Sequence, residues 1–426
     1  MAETQAGEFE HLLALRRDLH RHPEPAWCEF YTTARIVEAV ERVGVDALSL
    51  GPDVLADDRP AVPDEATLEQ WYQRALDDGA DEAVLERLRG GWTGAVAVLE
   101  RGDGPTVALR VDIDALPREE SDDPDHVPAA EGFRSTRAGM MHACGHDAHA
   151  AIGVGVLEAV KASDFTGTFK VIFQPAEERI GGGRPLAEGG HLDDVDALFC
   201  VHVGLDHPTG EVVCGVDGFL AVHHFRADFA GEGAHAGGAP QDGRNAVLAA
   251  ATAVQNLYAI PRHDDGATRV NAGVVAGGTA PNIIPEEAHI EGEVRGETTE
   301  LMAYMRDHAR RTLQAAAAMH DCDVTIGSEA EAPSATSDGE LVDVLAGVAD
   351  TVPGIETVLE RDELGGSEDA TFLMNRVQEY GGQACYVGVG TDHPGGHHSA
   401  TFDVDEASIP IAVRWLTGAI EAVAAS

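Results

Sequence analysis

The sequence predicts an α/β protein in which a mostly parallel sheet covered by helices is interrupted by a smaller inserted α+β domain. Three observations lead there. Short apolar runs alternate with helical periodicity through the first half, the pattern of parallel strands joined by crossover helices. Near Phe219 the texture changes to a β-α-β-β-α-β order, which folds as a small sandwich with one helical face. From Gly339 onward helix and strand alternate again. The length of 426 residues agrees, being too long for one ordinary domain. The expected domains are a discontinuous one, 1–218 with 329–426, and an inserted one, 219–328.

The elements follow in order. Phe9 to His20 carries apolar residues at helical spacing, and His22-Pro23-Glu24-Pro25 breaks the chain after it. Thr32 to Val43 reads as a second amphipathic helix. Asp53 to Gly90, acidic and proline-bearing, reads as a surface excursion with a helix in its second half. Gly94 to Glu100 and Pro105 to Ile113 read as strands, the second running into Asp112-Ile113-Asp114. His149 to Ala162 reads as a helix. Gly167 to Phe173 reads as a strand leading into Gln174-Pro175-Ala176-Glu177-Glu178, and Ala197 to Val203 as another. In the insert, His224 to Phe229, Arg269 to Val275, Ala288 to Arg295 and Asp323 to Ser328 read as strands, with helices at Asn245 to Ile260 and Thr299 to Met319. Gly181-Gly182-Gly183 lacks the sequence context of a phosphate loop and reads as a plain loop.

The charge balance narrows the function. Asp plus Glu number 74 against 29 Lys plus Arg, a net charge of −45. Phosphate-rich partners would be repelled, so neither nucleic acid nor an anionic membrane surface is expected as a partner. No apolar run approaches the roughly 20 residues of a membrane helix. Met1 to Glu10 lacks the apolar stretch of a secretory signal, so a cytoplasmic location is expected. Lys161 and Lys170 are the only lysines, and aromatic residues make up only 5%. Acid in excess, spread along the whole chain and almost without lysine, fits a salt-rich cytoplasm. There, surface carboxylates hold water and cations, and salt screens their mutual repulsion.

Candidate ligands cluster at strand ends. Cys144-Gly145-His146 follows Met141-His142, Glu177-Glu178 ends one strand, His202 ends the next, and His397-His398 lies in a Gly-rich loop. In parallel sheets ligands bind beyond the carboxyl ends of the strands. A thiolate, imidazoles and a carboxylate suit Zn, Mn, Co or Ni better than Mg or Ca. Cys144 and His146 reach one centre from a turn, with Gly145 as the flexible link. The adjacent glutamates divide two tasks, one ligating and the other taking a proton from water. The competing arrangement is a Cys144 nucleophile with a histidine base, but the surrounding acids disfavour a thiolate without a metal. Cys28, Cys200, Cys214, Cys322 and Cys385 form no CxxC and read as inert thiols in a reducing compartment.

Several phrases carry a resemblance: RRDLHRHPEPAWCEF (Arg16 to Phe30), ALRVDIDALP (Ala108 to Pro117), MMHACGHDAHAA (Met140 to Ala151), FQPAEE (Phe173 to Glu178), GEGAHAGGAPQDGRNA (Gly231 to Ala246), GGTAPNIIPEEA (Gly277 to Ala288), GSEDAT (Gly366 to Thr371) and GHHSATFDVDE (Gly396 to Glu406). With them the chain resembles, over nearly its whole length, the co-catalytic metallo-amidohydrolases. That group includes hippurate hydrolases, auxin-conjugate hydrolases and carboxypeptidase G-like enzymes. Within it the likeness is to the aminobenzoyl-glutamate utilisation branch, carried by the long excursion before GWTGAVAVLE and by the SEDATFLMNRVQ run.

The resemblance implies a di-metal exopeptidase-like catalytic domain with an inserted lid and dimerisation domain. It implies two divalent ions in each copy, held by Cys144, His146, Glu178, His202 and His398, with Cys144 shared. The pair His397-His398 leaves the terminal ligand open by one position, and the offset to Phe402 selects His398. Glu177 matches the general acid/base. Asp112 and Asp114 match the acidic pair that orients ligand side chains. His235 matches a histidine that reaches the site of a partner copy and stabilises the tetrahedral oxyanion. Arg244, Asn245, Asn282 and Arg295 fall in motifs that contact a substrate carboxylate or shape the lid, an arginine fork matching a carboxylate. For the two arginines the alternative is plain salt bridging. The implied substrate is an N-acyl amino acid, p-aminobenzoyl-glutamate or a hippurate-like one. The implied partner is a second copy or a homologous subunit. Two departures, Ala400 in the His398-Ser399-Ala400 loop and Ala148 before His149, remove no ligand.

Overall fold

The computed structural model describes residues 7–393 and 395–425. Met1 to Ala6, most of the acidic start read above as lacking a signal, lie outside the described residues. Among those described, no helix is long and apolar enough to cross a membrane. The chain divides into two compact units: Met1–Asp217 with Ala335–Leu364 and Asp369–Ser426, and Gly218–Ser334 with Gly365–Glu368.

The first unit opens with α1 (Glu10–Arg21), α2 (Phe30–Val43) and the short β1 (Ala47–Leu50). The acidic excursion then forms two helices, α3 (Glu65–Asp77) and α4 (Glu82–Leu88), where the sequence suggested one. Each has its own cap, the Asp64 side chain accepting the Thr67 N–H and Asp81 the Ala83 N–H. Next come β2 (Ala95–Glu100), β3 (Thr106–Asp112), α5 (Val127–Glu131), α6 (His146–Ala162), β4 (Thr168–Gln174), α7 (Gly183–Ala187), β5 (Ala197–Val203) and β6 (Glu211–Asp217). Helix α6 starts at His146 rather than His149. Gly145, at φ +84, turns the chain into the helix, and a Cβ there would sit 2.6 Å from the Val203 side chain. The triple glycine is not wholly a loop, since α7 begins at Gly183. A Cβ on Gly182 would lie 1.8 Å from the Pro175 carbonyl, so only glycine lets that segment pass the end of β4.

The second unit comprises β7 (Ala221–Ala230), β8 (Ala234–His235), α8 (Ala246–Tyr258), β9 (Thr268–Gly277), β10 (Ile283–Ile284), β11 (Glu287–Gly296), α9 (Thr299–Ala318) and β12 (Asp323–Ala332). The last strand runs past Ser328, because its pairing with β7 continues to Ala332. Its antiparallel sheet has the order β12-β7-β11-β9, with α8 and α9 packed on it around Phe225, Phe229, Ile290, Met302 and Leu313. Strand β9 is therefore an edge.

The first unit resumes with α10 (Gly339–Ala349), β13 (Thr357–Glu363), α11 (Ala370–Glu379), β14 (Gln383–Val389) and α12 (Ser408–Ala424). Among the described residues, eight strands form one mixed sheet in the order β1-β2-β4-β3-β5-β14-β6-β13. The central pairs β4/β3, β3/β5 and β5/β14 are parallel, as is β6/β13. Antiparallel pairing joins β1 to β2, β2 to β4 and β14 to β6. The carboxyl ends of β3, β4 and β5 thus open on one edge. Helix α6 packs across these three strands and is covered by α1, α2 and α12. Buried from His146 to Leu157, it carries its first turn to that edge from inside the core.

Candidate metal and active site

The predicted ligands converge at this edge. Cys144, His146 and His202 offer ligand atoms within 4.8 Å of one another. So do Cys144, Glu178 and His398, and so do His146, Glu177 and Glu178. The groups overlap at Cys144, His146 and Glu178, which makes one continuous cluster of thiol, imidazole and carboxylate.

Hydrogen bonds fix which ring nitrogen faces the cluster. His202 donates from Nδ1 to the Val203 carbonyl at 2.7 Å, so its Nε2 lone pair points at Cys144 Sγ, 3.4 Å away. His146 sets Nδ1 against Asp114 Oδ1 at 3.3 Å. Its Nε2 is buried without a hydrogen-bond partner, 3.6 Å from an Asp112 oxygen and 3.9 Å from a Glu178 oxygen. A buried imidazole nitrogen without a partner, facing carboxylates, is the arrangement a divalent cation satisfies. The electrostatics agree. Burial alone would lower the His146 pKa, but Asp112, the Asp114 hydrogen bond and Glu178 raise it to about 10, so the pocket draws positive charge. His202 is held well below its ordinary value, first by burial and then by His149 and His397, and keeps its lone pair.

His149, three residues after His146 on the same helix face, also borders the cluster. Both its nitrogens are engaged, Nδ1 with Asp112 and Nε2 accepting the Val203 N–H at 2.9 Å. It braces Asp112 and the end of β5. His397 is engaged in the same way, Nε2 accepting the Leu205 N–H at 3.1 Å and Nδ1 lying 3.5 Å from Cys144 Sγ. His398, with a left-handed backbone (φ +61), places Nε2 3.7 Å from Glu178 Oε2. Of the two neighbours, His398 is the one whose ring nitrogen faces a candidate ligand carboxylate.

The two glutamates stand on a single 3₁₀ turn, Glu177–Arg179, bracketed by left-handed Ala176 (φ +57) and Ile180 (φ +51). Non-glycine residues in this region store strain, and such strain concentrates at functional sites. Asp114 holds the turn: its two oxygens accept the Glu177 N–H at 3.1 Å and the Glu178 N–H at 3.0 Å. One carboxylate therefore orients both glutamates and His146. Asp114→Asn would turn an amide donor toward N–H groups or the imidazole. We expect metal affinity to fall about 10–100-fold, measured by competition with a chromophoric chelator.

A buried network the sequence did not single out supports the start of α6. Arg16 Nε and His20 Nδ1 both lie 2.8 Å from Asp147 Oδ2, and His20 Nε2 lies 2.9 Å from Glu120 Oε1. The signal was available: Arg16 and His20 sit four apart on the inward face of α1, where polar side chains need buried partners.

In the second unit, exposed His235 lies on β8, which pairs with β10. Its Nδ1 accepts the Gly237 and Gly238 N–H groups at 3.1 and 2.9 Å, which leaves the ring proton on Nε2. Asn245 caps α8, its side chain accepting the Leu248 N–H at 3.0 Å. Asn245→Ala is expected to destabilise by about 1 kcal/mol in denaturant unfolding. Arg244 is exposed, 3.5 Å from Glu232. Arg295 forks onto Glu293 at 3.0 Å and donates to Ser367 Oγ at 3.2 Å. The Asn282 backbone carbonyl accepts the Ala236 N–H beside His235.

Residues 108–422 match the family described as Peptidase family M20/M25/M40, and the chain belongs to it. It is a metallohydrolase of the amidohydrolase and peptidase class. Its similarity reaches particular proteins. An indole-3-acetyl-aspartic acid hydrolase of Enterobacter agglomerans is 46% identical over 94% of this chain and 93% of that protein. One of the subunits of the p-aminobenzoyl-glutamate hydrolase of Escherichia coli is 43% identical over the same shares. The crystal structure of an aminobenzoyl-glutamate utilization protein from Klebsiella pneumoniae superposes with a TM-score of 0.84 at 37% identity, covering 99% of this chain and 98% of that one.

Proposed function

We propose that the protein hydrolyses the amide bond between an aromatic acyl group and an acidic amino acid, with p-aminobenzoyl-glutamate as leading substrate. The observation that carries the chemistry is the clustered donor set of Cys144, His146, Glu178, His202 and His398, with Glu177 beside it on the turn that Asp114 holds. The substrate class rests on the two relatives above, whose named substrates both join an aromatic acyl group to a dicarboxylic amino acid. The 46% identity to the first favours indole-3-acetyl-aspartate as a second reading.

Those five residues would hold two divalent ions, with Cys144 shared, and their mixed donors suit Mn or Zn, with Co or Ni possible. When bound, such ions polarise a carbonyl and make water acidic enough to be deprotonated near neutral pH. The remaining steps belong to the chain. Glu177 accepts the proton of the attacking water and returns it to the leaving amine. His235, with its proton on Nε2, donates to the oxyanion from a second copy of the chain. Asp112 and Asp114 orient the ligand side chains, and Arg244, Asn245, Asn282 and Arg295 serve the substrate carboxylates or the lid.

The second unit, 219–328 in the sequence reading, is proposed as lid and dimerisation domain. Its edge strand β9 exposes Val274 (45%) and Val275 (52%), and the neighbouring α8 exposes Leu248 (50%) and Tyr258 (49%). An exposed apolar edge is suited to pair with another copy or a homologous subunit. The salt-rich cytoplasm is supported by the net charge of −45 and the near absence of lysine.

The test is kcat/KM on p-aminobenzoyl-glutamate, indole-3-acetyl-aspartate and hippurate, with size-exclusion of the same sample. The two dicarboxylic conjugates should exceed hippurate at least tenfold, in a dimer. Preference for hippurate would overturn the substrate class, and activity only after adding a homologous subunit would replace the homodimer.

A further inference from the structure

Glu29 precedes α2 and is fully buried, yet the chemistry above gives it no task. Its Oε1 accepts the Ala176 N–H at 2.8 Å, and its Oε2 accepts the Thr93 hydroxyl at 2.6 Å. Ala176 holds φ +57 and ψ 34, a left-handed conformation that is sterically disfavoured for a non-glycine residue. The next two N–H groups, of Glu177 and Glu178, go to Asp114. Three successive amides entering the acid/base turn are thus gripped by two buried carboxyl groups from distant parts of the sequence. Without the first grip, a left-handed alanine relaxes toward the ordinary helical or extended regions. That relaxation rotates the peptide that follows and re-aims both glutamates.

We propose that Glu29 is a positioning residue. It clamps Ala176 in the left-handed conformation and thereby sets the directions of Glu177 and Glu178. The proposal rests on the reading of Glu177 as acid/base and Glu178 as ligand. The clamp requires an acceptor at Oε1 rather than a charge. A glutamine supplies that acceptor, and its amide group meets a Thr93 hydroxyl that can turn to accept.

The test compares Glu29→Gln with Glu29→Leu, which has similar volume but no acceptor. Two readouts are used: kcat and KM, and the affinity of the metal-free protein for Co²⁺ against a chelating dye. Glu29→Gln should keep both within threefold. Glu29→Leu should lose at least tenfold in kcat with KM within threefold, and at least tenfold in Co²⁺ affinity, because Glu178 is among the donors. Adding Ala176→Gly to Glu29→Leu should restore at least threefold of each loss, since glycine adopts the left-handed conformation without penalty. A merely structural role for Glu29 would not be rescued this way.

Glu29→Leu within threefold of the parent on both readouts, or Glu29→Gln as impaired as Glu29→Leu, overturns the clamp. If Glu29→Leu does not fold, Ala176→Gly alone decides. With the clamp intact it should stay within threefold, and a tenfold loss in Co²⁺ affinity contradicts the clamp. The Co²⁺ series stands even if no amide is hydrolysed, so failure of the functional reading and failure of the clamp are told apart.

Discussion

Glu177→Gln is expected to lower kcat by about 10²–10⁴-fold, the usual worth of a general acid/base, while metal content and circular dichroism stay unchanged. A carboxamide fills the same space but cannot take a proton from water or return one to the leaving amine. The fold should tolerate the change, because the turn is held through its main chain. Asp114 grips the Glu177 and Glu178 N–H groups and Glu29 grips that of Ala176, and none of these bonds uses the Glu177 side chain. The loss should fall on kcat, with KM moving little. A variant with near-normal kcat would remove Glu177 from the acid/base role and pass it to another group on the cluster.

Withdrawing salt is expected to unfold the protein. A net charge of −45 places many like charges on one surface, and the Debye length grows from about 3 Å at 1 M to about 30 Å at 0.01 M. Repulsion screened in molar KCl is then felt across the whole molecule. The buried pairs around Asp147 are sheltered from bulk salt and should give way last. The sheet edge β13, which exposes Glu360, Asp362 and Glu363, has no such shelter. Dialysis from molar KCl into dilute buffer should abolish most of the helical circular dichroism signal, and returning KCl should recover it. An unchanged spectrum in dilute buffer would contradict the salt-rich reading of the composition.

Much of the architecture was legible because periodicity and burial agree. Strands such as Ala197–Val203 are uniformly apolar apart from His202, as strands covered on both faces must be, and the β-α-β-β-α-β order of the insert shows in its alternation. Strands β1 and β6 do not show in the sequence pattern. The first is only four residues long and half exposed, and the second runs into acidic residues at both ends, so neither presents a strong pattern. The sequence pattern starts α6 three residues late because His146 and Asp147 look polar, and only their buried partners explain them inside the core.

At the site, the ligand types and their gathering at strand ends could be read from the sequence. The tautomers could not, since they depend on the Val203 carbonyl, the Leu205 N–H and Asp114, contacts set by the folded backbone and, for His397 and His146, by segments far apart in the chain. The same holds for Glu29, whose partner Ala176 lies 147 positions away. Composition gives such a residue a burial cost but not the backbone it holds.

The most direct test of the central claim is hydrolysis of p-aminobenzoyl-glutamate by the purified chain alone, in molar KCl, after chelation and again after adding back Mn or Zn. The account predicts no release of p-aminobenzoate from the chelated protein and steady release once metal returns. No release on this substrate or on indole-3-acetyl-aspartate, from folded protein shown to hold two ions per chain, would contradict it.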